Sequence, residues 1–296
     1  QGKAGKALAI AAWSSFAGGT LAAIYLLFLA PSLSKVSLSF RSPDYFALMI
    51  LGLTAIAAFS SKGQFIKAMM MVVLGLMLAS VGQDSLSDIT RFTFNNMNLT
   101  DGISFVLVVM ATFAMSEALT IILKRNDPTA AAKQVSLTEL GSIRINKEER
   151  KKMLKTIPRT SIIGFIIGVL PGAGATIASF LAYGMERNLV SDEEKEKFGK
   201  GSVHGLAAPE TANNAACSGA FVPLLTLGIP GSGTTAVMLG ALLGFGIQPG
   251  PRLYITNPEI FWSVIMSMYI GMVVLLILNL PLIPYIARIL AVPKNY

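Results

Sequence analysis

The sequence predicts an all-α polytopic integral membrane protein with about six to eight membrane segments, some of them discontinuous or re-entrant helices broken at Pro-Gly motifs. Three observations predict this class. Of the 296 residues, 53% are hydrophobic and only 14% are charged, whereas soluble domains carry about 25% charged residues. Several windows reach the ~18 to 20 apolar residues that a helix needs to cross a bilayer. Finally, two apolar segments are interrupted at their centres by Pro-Gly motifs. Lipid cannot hydrogen-bond the backbone groups such a break frees, so breaks at membrane depth require protein or a water-filled cavity as partner.

The elements follow in order. A first span runs from Leu8 to Ala30, with Lys3 and Lys6 before it and Pro31 after it. A second covers Tyr45–Ser60, a third Phe65–Val81 and a fourth Gly102–Leu123. Next comes a polar stretch, 124–159. Its basic residues Lys124, Arg125, Lys133, Arg144, Lys147, Arg150, Lys151, Lys152, Lys155 and Arg159 outnumber Asp127, Glu139, Glu148 and Glu149. That asymmetry predicts a cytoplasmic linker. The connection 82–101 carries Asp84, Asp88 and Asp101 against Arg91 and fits the outer side; counting back places Lys3 and Lys6 inside. The net charge of +8 is thereby explained by loop asymmetry, without a nucleic-acid partner.

After Arg159, Ser161–Met185 is apolar but broken at Pro171, Gly172 and Gly174. A polar connector follows, with a short surface helix expected at Ser191–Phe198 and a capping box from Ser191 and Glu194. His204, the single histidine, reads as a loop residue. The amide pair Asn213-Asn214, the LGIPGSG break, an apolar run at Thr234–Ile247, a turn at Pro249–Pro251 and a final span from Ile260 to Leu290 complete the chain. Pro281 and Pro284 are expected to kink or end that last span. The organisation read from this pass is a four-span region at 1–123, the basic linker at 124–159, and a transport core at 160–296.

The candidate site residues gather at the breaks. LPGAGAT contributes Pro171, Gly172, Gly174 and Thr176; LGIPGSGTT contributes Thr226 just before it, then Gly228, Pro230, Gly231, Ser232, Gly233, Thr234 and Thr235. Helix N-termini formed at such breaks attract anions, because unpaired N–H groups and the helix dipole point the same way. The alternative for the glycines is close helix packing. Asn213 and Asn214 can ligate a cation through their carbonyls or hydrogen-bond a carboxylate through their NH2 groups. Glu210 is a candidate for coupling or capping. Glu117, inside the fourth span, is a candidate for coupling or for a salt bridge near Lys124 and Arg125. Neither glycine motif has the lysine of a nucleotide-binding loop. One Cys and one His give no catalytic or metal-ligand pattern, so neither a cofactor nor a catalytic residue is expected.

The stretches GFIIGVLPGAGATIASFLAYGMER and FGKGSVHGLAAPETANNAACSGAFVPLLTLGIPGSGTTAVMLGALLGFGIQPGP resemble the large permease subunit of the bacterial tripartite tricarboxylate transporters, the TctA family. The resemblance extends over essentially the whole chain. It implies a secondary transporter (a symporter) in the bacterial inner membrane, importing citrate, other di- and tricarboxylates or related organic anions. It further implies a periplasmic solute-binding protein, a small membrane subunit and a coupling cation, Na+ or H+. It also implies that the chain is an internal fragment, the second of two repeats, with the first repeat and the last helices lying outside it. The sequence departs from the family pattern at His204, where Glu is expected, at Cys217-Ser218 in place of a small Ala-Gly pair, and at Gly233 in place of Ala. Two other functions stand beside this one: a membrane scaffold or receptor subunit without a pathway, and a membrane-embedded enzyme.

Overall fold

The computed structural model describes residues 3–39, 64–84, 89–124, 142–171 and 173–290, with isolated positions between 41 and 54. Helix α1 (Ala4–Ser37) contains Pro31 rather than ending before it. Its last turn closes normally, Leu38 N–H donating to Ser34 O at 3.1 Å. A proline is tolerated inside an apolar helix when neighbours satisfy the freed carbonyl. The expected second span, Tyr45–Ser60, lies outside the described residues apart from isolated positions.

Helix α2 (Phe65–Ala79) matches the third expected span and buries none of its residues. A two-residue antiparallel ladder follows, β1 (Gly82–Gln83) with β2 (Thr90–Arg91), in register Gly82↔Arg91. Arg91 pairs with Asp84 across it at 2.5 Å. Helix α3 (Phe105–Lys124) coincides with most of the fourth expected span. It carries Glu117, whose side chain lies outside what the structure describes.

Helix α4 (Lys147–Val169) takes in the last part of the expected linker, residues 147–159, and the break falls after Val169. The helix starts here because Asn146 and Glu149 form a capping box, each side chain bonding the other's backbone N–H at 2.8 Å. Of the remaining linker, 125–141 lies outside the described residues.

Helix α5 (Gly174–Leu189) follows the first break. The expected surface helix is a single turn, α6 (Asp192–Lys195), and Ser191 makes no side-chain cap. The Glu194 carboxylate is instead drawn to Lys152 at 2.8 Å and Lys197 at 2.6 Å. Helix α7 (Val203–Gly219) begins at Ser202, whose Oγ accepts from Gly205 N–H at 3.1 Å. Then come α8 (Phe221–Leu227), α9 (Gly233–Gly244), α10 (Leu253–Thr256) and α11 (Pro258–Leu290). Helix α11 runs through both Pro281 and Pro284, so neither ends it. Among the described residues, Ala4–Val36 and Pro258–Leu282 are long and apolar enough to cross a membrane.

Helix α7 is the axis of the bundle, covered by α1, α4 and α5. Small residues allow this. A Cβ added at Gly164 would lie 2.4 Å from the Ala212 carbonyl oxygen, at Gly168 2.2 Å from that of Ala216, and at Gly18 2.6 Å from that of Thr211. Gly219 approaches Phe165 O in the same way, at 2.3 Å. The paired positions rise together along both chains, so α1 and α4 run parallel to α7. Helix α5 runs against it: Ala178 and Ala182 pack on Ala212 and Ala216. A second apolar cluster joins Leu26, Phe165, Leu225, Leu253, Phe261 and Ile265 from α1, α4, α8, α10 and α11. Large apolar side chains face outward elsewhere, among them Phe28, Ile66, Met70, Phe180 and Ile270. In a membrane these meet lipid, and the contacts around α7 rely on alanine and glycine, which let helices approach closely.

Gly168→Leu is expected to separate α4 from α7 and destabilise the fold by about 3 kcal/mol or more, since the obstacle is backbone. Gly184→Ala, with nothing within 4 Å of the added carbon, should be neutral or stabilising by up to ~1 kcal/mol. Thermal unfolding of both variants in detergent checks the contrast.

Candidate functional site

The first break forms a hairpin. Helix α4 ends at Val169, Leu170 is extended, and Gly174 opens α5 with φ +70°. That left-handed conformation is strained for other residues. The two legs fold back on each other: the Arg159 guanidinium, ten residues before the break, bonds the Glu186 carboxylate on α5. Ser161–Met185 therefore returns to the end from which it started.

The second break has its left-handed glycine on the opposite side. Gly228 (φ +73°) closes α8, its N–H donating to Leu224 O at 3.0 Å, an αL cap. A Cβ there would meet Pro249 O at 2.6 Å. Ser232 then caps α9, its Oγ accepting from Thr235 N–H at 3.3 Å while Thr235 Oγ1 accepts from Ser232 N–H at 2.8 Å. The start of α5 has no such cap, since Ala173 offers no side-chain acceptor.

The two breaks meet the same end of α7. Gly168, next to the first break, packs on Ala216, and Gly219 packs on Phe165 and Gly168; Gly231 of the second break lies against Ala220. Among the other expected residues, Pro171 and Pro230 are half-buried in the turns, Thr176 and Thr234 are exposed, and Thr235 is buried in the cap. Gly233 is the first residue of α9. Thr226 is buried and donates to Val222 O of its own helix at 2.8 Å, a purely local bond. Gly172 lies outside the described residues.

Glu210, Asn213, Asn214 and Cys217 occupy positions i, i+3, i+4 and i+7 of α7, one face of the helix. It is the face that α1, α4 and α5 leave least covered. Here Ser15 Oγ donates to Glu210 Oε2 at 3.1 Å, Asn213 Nδ2 donates to Ser179 Oγ at 3.3 Å, and Asn214 Nδ2 to Glu210 O at 3.1 Å. The Glu210 carboxylate thus bridges α7 to α1.

A second polar assembly sits at the other end of α7, and the sequence reading missed it. His204, read as a loop residue, is in the first turn of α7 and buried. Its Nδ1 lies 2.9 Å from Glu186 Oε1 and 2.7 Å from Thr156 Oγ1. Thr156 Oγ1 donates to Glu186 Oε1 at 2.7 Å, and Arg159 Nε to Glu186 Oε2 at 2.6 Å. Three helices thus converge on one fully buried carboxylate. Burial by itself would raise the Glu186 pKa, but hydrogen bonds from His204, Arg159 and Thr156, with the Arg159 charge, overcome it and hold the group at about 2. A sequence signal existed: Glu186 and Arg159 flank an apolar run symmetrically about the Pro-Gly break, which a hairpin would bring together.

Apolar helices around a polar-faced central helix, with two helix breaks at one end of it, define a helical membrane protein. The chain belongs to the tripartite tricarboxylate transporter TctA family, which it matches over residues 1–296. It is 42% identical to an Agrobacterium vitis protein described as "Uncharacterized 52.8 kDa protein in TAR-I ttuC' 3'region", over 99% of this chain and 57% of that protein. It is 47% identical to a second A. vitis protein, "Uncharacterized protein in TAR-II ttuC' 3'region", over 44% of this chain and 53% of that one. The chain therefore spans between half and three-fifths of the length of the first relative. No solved structure matches it.

Glu186 ionises at about 2 in the fold and near ~4.3 when unfolded. Because the folded value is depressed, its contribution is whole above pH ~4.5 and fades as pH falls toward 2, by about 3 kcal/mol. Glu186→Gln should unfold well below the wild type at pH 7, and the gap should close between pH 5 and 2. Thermal unfolding across that range reads it out.

Proposed function

We propose that the chain is part of a secondary-transporter permease that imports di- or tricarboxylates, or related organic anions, driven by a Na+ or H+ gradient. The solute would be delivered by a periplasmic binding protein, and a small membrane subunit would complete the assembly in the bacterial inner membrane. The basic end of α4, with Lys147, Arg150, Lys151 and Lys155, would face the cytoplasm.

The re-entrant hairpin carries this reading. From Arg159 to Leu170 the helix rises about 16 Å, roughly half the ~30 Å hydrocarbon thickness. With the Arg159–Glu186 end at the membrane surface, the hairpin tip reaches the midplane, where transporters place their solute sites on broken helices. The second break joins it there through the end of α7. The uncapped start of α5 offers backbone N–H groups to an anion, and the exposed Thr176 and Thr234 hydroxyls and the Asn213 and Asn214 amides add donors. Glu210, on the same helix face, would hold a coupling cation. Gly228 and Gly231 would serve packing, since a Cβ at Gly228 would meet Pro249 O and Gly231 lies against Ala220. That favours the scaffold alternative for these two residues only. Membership in a transporter family argues against an enzyme.

Asn213→Ala and Thr234→Val, made in the complete permease with its binding protein, should each lower radiolabelled carboxylate uptake about tenfold, the loss of one hydrogen bond to a charged group. Membrane insertion should be unchanged. Uptake equal to wild type in both would sink the site. In a Cys217→Ser background, a cysteine at position 234 should react with a water-soluble thiol reagent and be protected by substrate; a dry break would leave it unreactive.

A further inference from the structure

We propose that His204 is a proton-binding site, clamped at the head of α7 by Glu186 and Thr156 and balanced by Arg159. Its coupling to solute movement rests on the carrier reading above; the protonation chemistry does not.

The geometry assigns the two ring nitrogens different tasks. Thr156 has one hydroxyl proton, and its oxygen lies 2.7 Å from Glu186 Oε1. The other acceptor in reach, Lys152 O, is farther at 3.1 Å, and an anionic carboxylate accepts only, so the hydroxyl donates to Glu186. Nδ1, 2.9 Å from the same carboxylate oxygen, must then carry a proton too, since a bare nitrogen there would face a negative oxygen without a hydrogen between them. The neutral ring is therefore the Nδ1–H tautomer, and Nε2 is where the second proton binds. Among the described residues none bonds Nε2, and His204 as a whole is 6% exposed.

Charged groups stand on each helix packed around the ring, Lys155 of α4 and Arg187 of α5 among them. From α5 comes Glu186; from α4 come Arg159, bonded to Glu186, and Lys152, held by Glu194 of α6, which also binds Lys197. From α1 comes Lys6, paired with Glu149 of α4. With the ring neutral, Glu186 and Arg159 cancel. Proton gain adds one positive charge inside the cluster, and the imidazolium then competes with Arg159 for a single carboxylate. Arg159 and Glu186 stand on the two legs of the re-entrant hairpin, and His204 on the helix that touches both breaks. A proton at Nε2 therefore alters the balance of bonds holding the hairpin legs to α7, about 22 Å from the break end of that helix.

Two experiments decide it. The chain has one histidine, so 15N-labelled imidazole gives one titration curve in detergent. That curve is expected to move to lower pH in Glu186→Gln, which removes a negative neighbour, and to higher pH in Arg159→Gln, which removes a positive one. Two such variants guard against one failing to fold. In vesicles containing the complete permease, wild-type uptake is expected to change several-fold between pH 5.5 and 8, and His204→Gln to flatten that profile while still supporting uptake. A ring whose midpoint ignores both variants, or a His204→Gln profile identical to wild type, overturns the proposal. Absence of uptake by the wild type at every pH would instead count against the carrier reading, and the titration alone would then decide His204.

Discussion

The close approach of α7 to three neighbours is the constraint on which the rest of the structure depends. Gly18, Gly164, Gly168 and Gly219 place backbone against backbone at distances that leave no room for a Cβ. In lipid, apolar side chains gain little by leaving their surroundings, so helices associate through tight van der Waals contact and polar bonds. A central helix made of alanine, with Ala207, Ala208, Ala212, Ala215 and Ala216 all buried, is the outcome. It brings both helix breaks to one end of α7 and aligns one polar face between them.

The buried Glu186 assembly complements that packing at the opposite end. Small-residue contacts hold helices close but specify axial position weakly, because one alanine resembles the next. A carboxylate that must satisfy Thr156, Arg159 and His204 together admits one register of α4, α5 and α7. Its desolvation is costly, and only a full set of partners offsets it. The apolar contacts thus set the distances, and the charge cluster sets the alignment. The hairpin tip is held at a defined height along α7 as a result.

Much of this was legible in the sequence. Helix breaks at LPGAGAT and LGIPGSG stand where the Pro-Gly motifs place them, because each motif pairs proline with a glycine that takes a left-handed conformation, Gly174 at φ +70° and Gly228 at φ +73°. The transporter family was legible for the same reason, since its motifs are contiguous. Helix termini were less so. The capping box expected at Ser191 and Glu194 is absent, and one that went unremarked, Asn146 with Glu149, starts α4. Both positions have suitable residues; the difference is that Glu194 finds Lys152, 42 residues away, whereas Glu149 can serve its cap and Lys6 together. Prolines 31, 281 and 284, by contrast, lie within helices.

The sequence by itself determined the all-helical class, the membrane as solvent, the two breaks and the family. These rest on composition, period and short motifs, all of which are local. Tertiary structure alone decided that Ser161–Met185 folds back on itself, that Gly228 and Gly231 lie close against neighbouring backbone, and that His204 is a buried partner of a carboxylate rather than a loop residue. The polar meetings among these span 18 to 48 residues of chain. No local pattern specifies such a meeting; the mutual satisfaction of buried polar groups does.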